Sequence, residues 1–158
     1  STHTFWADTA GEASRQEMEI NYFGTLAMCQ AFAPQLQTRG GAVIANVCSI
    51  LGMINLPANG TYCASKAAVH SMIQGLRAEL GQRDIRVVGI YPGPVDTPMT
   101  AGQEMPKSSA QDVAGAICSG IKSGEEDIFP DRMSKEVSAM LKKDAKAVEK
   151  EFSTMLPS

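Results

Sequence analysis

Four side chains in this sequence have the types and spacing for proton chemistry: Tyr62, Lys66, Ser49 and Asn21. A Tyr and a Lys four residues apart on a helix share a face and can bring their head groups together. A phenol near pKa 10 exchanges protons poorly at neutral pH unless its anion is stabilised. Lowering it by about 2 to 3 units takes roughly 3 to 4 kcal/mol. One ammonium about 4 to 5 Å away supplies about that much at an effective dielectric near 20. A Lys one helical turn on is therefore an adequate activator, although Tyr-x-x-x-Lys alone is a weak signal. Ser49 lies thirteen residues before Tyr62, directly after an apolar run, where its hydroxyl can point into the same crevice. By itself it reads as a turn residue. Asn21 falls within a predicted helix, where Asn has poor propensity, and by itself reads as a solvent-facing position.

These groups need elements to position them. Ser14-x-x-Glu17 is a capping-box pattern that opens a helix over 14–38, with Ile20, Phe23, Leu26, Ala27 and Ala31 on its packed face. Pro34 and Gly40-Gly41 close it. Residues 42–48 are nearly all apolar, and bounding glycines make them a strand buried on both faces. Ser49 follows at its carboxyl end. A helix over 61–80 carries Tyr62 and Lys66, packs through Val69, Ile73, Leu76 and Leu80, and stops at Gly81. Residues 85–91 form the next strand, ended by Pro92-Gly93-Pro94. Ser109-x-x-Asp112 caps a third helix to about residue 123, and 127–130 is a short last strand. The tail 134–155 repeats Val137, Leu141, Val148, Phe152 and Met155 among charges, a surface helix with one packed face. The alternation predicts an α/β fold, a doubly wound parallel sheet with flanking helices, as one domain over 1–158. Active-site loops of such sheets lie outside the carboxyl ends of the strands, where both Ser49 and Pro92-Gly93 fall.

Composition narrows the partners. A net charge of -3 over 158 residues gives no reason to expect nucleic acid or an anionic membrane surface. No apolar run approaches the roughly 18 residues of a membrane span. The first residues lack the basic start and apolar stretch of a signal peptide, and no initiator Met is present, so the chain is expected to open in mid-sequence or after processing. Cys29, Cys48, Cys63 and Cys118 form no Cys-x-x-Cys pair, and His3 and His70 are isolated, so no metal site is expected. Buried, reduced thiols in a cytoplasmic protein are the expectation.

Taken together, Asn21-x-x-Gly24, Asn46-Val47-Cys48-Ser49, Tyr62-x-x-Ser65-Lys66 and Pro92-Gly93-x-Val95-x-Thr97 closely resemble the short-chain dehydrogenase/reductase family in order and spacing. The match is strongest over 17–98, and residues 126–131 resemble the end of its bacterial members. The resemblance implies the C-terminal half of a Rossmann-type sheet and hydride transfer between NAD or NADP and a small alcohol or carbonyl compound. It makes Tyr62 the general acid and base. Lys66 would lower the Tyr62 pKa and bond the nicotinamide ribose. Ser49 would polarise the substrate oxygen, and Asn21 would hold a water linking Lys66 to solvent. Pro92, Gly93 and Val95 would run beside the nicotinamide, Val95 bonding its carboxamide, with Thr97 near the carboxamide or the phosphates. Loops 50–57 and 99–106 would line the substrate pocket with Ile50, Leu51, Met53, Leu56, Met99 and Met105, which favours a moderately apolar substrate.

The family's opening strand and Gly-rich pyrophosphate turn have no counterpart here, since Gly40-Gly41 precedes a strand instead of following one. The first four strands are therefore expected to belong to a longer enzyme of about 230 to 250 residues, leaving 42–48 as an apolar edge. The alternative is a catalytically silent piece that keeps only self-association. The resemblance would place that homodimer or homotetramer interface on helices 14–38 and 61–80. A pseudoenzyme is disfavoured, because a non-catalytic protein needs no intact Asn21, Ser49, Tyr62 and Lys66 set.

Overall fold

The structure is a computed structural model that describes residues 4–156. Along the chain run α1 (Ala10–Met18), a π-helical turn (Glu19–Phe23), α2 (Gly24–Gln37), β1 (Ala42–Val47), α3 (Gly60–Gly81), β2 (Ile85–Ile90), α4 (Ala110–Ser123), β3 (Asp127–Ile128) and α5 (Arg132–Phe152). Among the described residues the sheet has the order β1-β2-β3, parallel throughout. Helices α3 and α4 are the crossovers that parallel neighbours require. One face of the sheet packs Ile85 and Val87 against Ala33, Val69, Ile73 and Leu80 from α2 and α3. The other packs Val88, Ile90 and Ile128 against Ile117 and Ile121 of α4. Helices on both faces make this the expected doubly wound α/β arrangement.

Helix α3 matches its predicted packing face, with Val69, Ile73 and Leu80 buried and Leu76 half-buried. It runs through Gly81 instead of stopping there. The turn into β2 is made by Asp84 at φ 56°, whose carboxylate accepts the Gly41 N–H at 2.7 Å. Ser109 caps α4 as expected, accepting from Asp112 N at 3.0 Å.

The first helix departs from expectation in two ways. It begins at Ala10, so Ser14 is an interior residue and not a cap. Ala10 and Ala13 are buried, and that packing extends the helix back by a turn. Its packed face is also different: Ile20, Phe23, Ala27 and Ala31 are exposed, Leu26 is half-buried, and Cys29 and Ala33 turn inward. The helix has two apolar stripes, and the one with smaller residues allows close approach to α3 and the sheet. Its end is as expected: it runs past Pro34 to Gln37, and Gly40 and Gly41, both at positive φ, turn the chain into β1.

Strand β1 is not buried on both faces, because Ala45 and Val47 are exposed at what is a sheet edge among the described residues. The last strand is two residues long and stops before Pro130. Helix α5 starts at Arg132, two residues early, and breaks at Asp144, whose side chain caps the second half by accepting Ala147 N at 2.9 Å. Val137, Val148 and Phe152 are buried as its pattern predicts, while Met155 lies beyond the helix, exposed.

Candidate active site

Ser49 leaves β1 in extended conformation, and the chain bends at once into a 3₁₀ turn, Ile50–Gly52. Its Oγ accepts the Leu51 N–H at 3.1 Å, which fixes the hydroxyl in place. Tyr62 lies in the first turn of α3, with the Ser49 side chain near enough to lower its phenol pKa. Lys66, one turn further, places Nζ 5.7 Å from the Tyr62 ring centroid. That ammonium donates to the Val47 carbonyl at 3.3 Å. The backbone at Lys66 is clamped against the Ser49 loop. Cys48 Sγ donates to Lys66 O at 3.2 Å, and a Cβ on Gly52 would come within 2.7 Å of the same oxygen. Only glycine permits this approach.

Asn21 reaches the site from the π-helical turn. A π turn inserts an extra residue into the helical register, a device frequent at functional sites. Asn21 Nδ2 donates to Ser65 Oγ at 2.9 Å, and Ser65 Oγ donates to the Tyr62 carbonyl at 2.8 Å. The structure thus brings Asn21, Ser49, Tyr62 and Lys66 together, with Ser65 as a link that carried no role in the sequence reading.

Burial pushes the Tyr62 phenol above its ordinary pKa, against the lowering effect of the nearby Ser49 side chain; Cys48, Cys63 and Glu17 push it further up. Burial also pulls the Lys66 ammonium below its ordinary value, partly offset by Cys48. This direction for Tyr62 is opposite to the activated state expected from the sequence. Its main cause is burial, and the Lys66 ammonium, engaged by the Val47 carbonyl, does not offset it.

The second loop is tied to the first, as Ile50 N donates to Pro92 O at 3.0 Å. Gly93 N donates to Asp131 Oδ2 at 2.7 Å. The carbonyl of Val95 accepts from Thr100 Oγ1 at 2.6 Å and Thr97 Oγ1 at 3.4 Å, and Thr97 caps the 3₁₀ turn Pro98–Thr100. A parallel bridge closes the base of this loop, with Ser108 N on Pro94 O and Asp96 N on Ser108 O. The Val95 N–H has no acceptor among the described residues. It and the remaining hydrogens of the Lys66 ammonium are open donors, the kind a ribose hydroxyl and a carboxamide carbonyl require. The donor set fits a nicotinamide dinucleotide.

A cavity of about 170 Å³ opens beside the site, lined by Leu51, Met53, Ile54, Cys63 and Ala64 among others. Ile50, expected in such a pocket, is instead buried against Val137, Val148 and Phe152 of α5. Met99 and Met105 are exposed and do not line this cavity. Among the described residues no group of three or more His, Cys, Asp or Glu could hold a metal. His3 lies outside the described residues, and His70 Nδ1 pairs with the Tyr91 hydroxyl at 2.8 Å. All four cysteines are free, and Cys118 is exposed, unlike the buried Cys29, Cys48 and Cys63.

With this geometry in hand, comparison with known proteins is specific. The family model described as short chain dehydrogenase matches residues 2–107. An uncharacterized oxidoreductase of Staphylococcus epidermidis is 39% identical over 103 residues, covering 63% of this chain and 45% of the relative. Dehydrogenase/reductase SDR family member 7B of Bos taurus is 42% identical over 91 residues, 57% of this chain and 28% of its own length. The chain thus spans less than half the length of these relatives. Among solved structures, a short chain dehydrogenase from Burkholderia cenocepacia J2315 in complex with NADP superposes with a TM-score of 0.91 at 36% identity. That likeness covers 96% of this chain and 65% of that one. The Tyr62, Lys66, Ser49 and Asn21 constellation is therefore set in a chain that belongs to the short-chain dehydrogenase family.

Proposed function

We propose that the protein carrying this chain is an NAD- or NADP-dependent oxidoreductase that interconverts a small, moderately apolar alcohol and its carbonyl compound. The observation that carries this reading is the convergence of the Ser49 and Tyr62 hydroxyls with the Lys66 ammonium at the carboxyl end of β1. The dinucleotide, when bound, supplies or accepts the hydride. Tyr62 Oη gives its proton to the carbonyl oxygen during reduction and takes it back during alcohol oxidation. Ser49 Oγ donates to the same oxygen and holds it beside the phenol. Lys66 turns its ammonium from the Val47 carbonyl toward the phenol, which offsets the burial that raises the Tyr62 pKa, and bonds the nicotinamide ribose. Asn21, fixed through Ser65, holds a water that connects Lys66 with solvent. Pro92, Gly93 and Val95 carry the backbone past the nicotinamide, with the Val95 N–H toward the carboxamide and Thr97 near the carboxamide or the phosphates. The NADP held by the Burkholderia neighbour supports a dinucleotide here and leaves the choice between NAD and NADP open.

Exposed Ile20 and Phe23 on the π turn and Met28 and Phe32 on α2 support a homodimer or homotetramer through the first helix and α3. Such an interface would also be the whole role of a catalytically silent chain, and dinucleotide binding separates the two readings. Three buried free thiols favour a reducing, cytoplasmic setting. No helix among the described residues is long and apolar enough to cross a membrane.

The test is turnover of the intact protein with each dinucleotide and a panel of mid-sized apolar ketones. Tyr62→Phe should lower turnover on the order of 100-fold or more, and Lys66→Ala should weaken both turnover and dinucleotide binding. Undiminished turnover in Tyr62→Phe would overturn the mechanism.

A further inference from the structure

Helix α5, most of it far along the chain from the residues that do the chemistry, touches both loops that carry them. Its apolar face, Val137, Val148 and Phe152, packs on Ile50 and Ile54 immediately after Ser49. Its N-cap residue, Asp131, reaches the other loop. Asp131 Oδ1 accepts the Ser134 N–H at 2.8 Å, an ordinary cap bond. Its Oδ2 accepts the Gly93 N–H at 2.7 Å, 38 residues away, and a further bond at 3.0 Å from Ser134 Oγ. The residue is only 6% exposed, so water competes little for these bonds.

We propose that Asp131 is a positioning residue for the nicotinamide-binding turn: its carboxylate pins the Gly93 backbone and thereby aims the open Val95 N–H. The role rests on the function proposed above. A cap alone would need only one carboxylate oxygen, and the second is spent on Gly93. The site is also shaped for this contact from the other side. A Cβ on Gly93 would lie 2.9 Å from Asp131 Oδ1 and 3.4 Å from Met133 Cβ. Glycine at 93 is thus required by the Asp131 buttress whether or not a ligand approaches. With Gly93 N–H committed, the donor left in this turn is Val95 N–H, two residues on. Because Ile50 N–H also donates to Pro92 O, a shift of the α5 terminus would move the Pro92–Gly93 turn relative to Ser49.

Asp131→Asn separates positioning from capping. Asn is as good an N-cap as Asp, but its single carbonyl oxygen can accept from Gly93 N–H or Ser134 N–H, not from both. Ser134→Ala is the counterpart, removing the hydroxyl contact and leaving the Gly93 bond. In the intact protein, Asp131→Asn should accelerate hydrogen exchange at the Gly93 amide by about tenfold or more. It should raise the Kd for NADH or NADPH by a similar factor, with a smaller change in kcat. Ser134→Ala should leave Gly93 exchange as it is. Asp131→Ser, a good cap too short to reach Gly93, repeats the measurement should the Asn variant fold poorly. Unchanged Gly93 exchange in the Asn and Ser variants would overturn the pinning. Faster exchange with an unchanged Kd would reduce Asp131 to a structural role and overturn the positioning. A wild-type protein with a protected Gly93 amide and no affinity for either dinucleotide would remove this role through failure of the function reading, and the protected amide would tell that failure from the others.

Discussion

Val47 and Ile90 are direct partners across the parallel ladder between β1 and β2, yet Val47 is 59% exposed and Ile90 is 1% exposed. The contrast repeats two residues earlier, where exposed Ala45 pairs with fully buried Val88. Both pairs point to the same side of the sheet, because side chains alternate along a strand. Helix α4 covers that side over β2 and β3 through Ile117 and Ile121 but leaves the end of β1 bare. The opposite side is covered over both strands, by α2 and α3. An apolar strand therefore specifies that something must cover it, but not that the cover comes from the same stretch of chain. The proposed catalytic groups sit on the seam between these two regimes, with Ser49 leaving the open strand and Pro92 leaving the closed one.

The largest expected effect on this contrast is at its buried partner. Ile90→Ala removes side-chain volume between Val88 and Ile128 where nothing can collapse inward, and should cost about 2 to 5 kcal/mol. Denaturant melts would read this as a lower midpoint at unchanged slope. A loss below about 1 kcal/mol would mean β2 is not the packed centre the burial indicates.

The intermediate effect depends on pH and tests how dry the closed side is. Past the end of β2, the Tyr91 hydroxyl meets His70 Nδ1 at 2.8 Å, its ring stacks on Phe129, and burial pushes its phenol well above the usual range. Burial likewise pulls His70 below its ordinary pKa; Asp127 opposes this shift and Arg77 adds to it, while Gln74 faces the other ring nitrogen. A histidine held neutral in the fold is protonated first in the unfolded chain. The unfolded state then binds more protons, and stability falls as pH drops from about 6.5 toward the lower folded pKa. His70→Gln should therefore show a smaller loss of thermal midpoint than wild type between about pH 7 and pH 5. Equal losses would mean that His70 is well hydrated and that the closed side admits water.

The same contrast explains what was legible in the sequence. Tyr62, Lys66 and Ser49 stood out as a set only through the family resemblance of their joint motifs, since the four-residue helical spacing and the end of an apolar run are each weak signals alone. The burial of α3 and the Ser109 cap followed from local rules. Asn21 was legible as a residue but its π turn was not, since no side-chain pattern marks an inserted residue. The face of the first helix was misread because periodicity finds an apolar stripe without saying which of two stripes is covered. Ala10, Ala13 and Cys29 lost to the bulkier Ile20 and Phe23 in that reading, although small residues are what close helix approach needs. The Asp131–Gly93 bond was invisible for a different reason. The last helix was expected to begin at 134, so Asp131 carried no cap signal, and the turn signal at Gly93 explains itself locally without announcing a partner 38 residues away.

The smallest expected effect is the most informative about what covers β1. Val47→Thr keeps the branched shape that strands favour and exchanges one methyl for a hydroxyl. At a position 59% exposed, that hydroxyl meets water, and the cost should stay within about 0.5 kcal/mol. A Thr hydroxyl buried without a partner costs about 1 to 3 kcal/mol, so the two situations are distinguishable by denaturant melts. The comparison sharpens if the substitution is measured in this chain alone and again in the intact protein that carries it. A negligible cost in both would mean that the bare end of β1 is a true solvent face. A cost appearing only in the intact protein would mean that further chain, or a second copy, closes over Val47. In that case the asymmetry between Val47 and Ile90 belongs to this stretch of sequence, not to the working molecule. Ser49, two residues beyond Val47, would then sit at the junction of this stretch and whatever covers it.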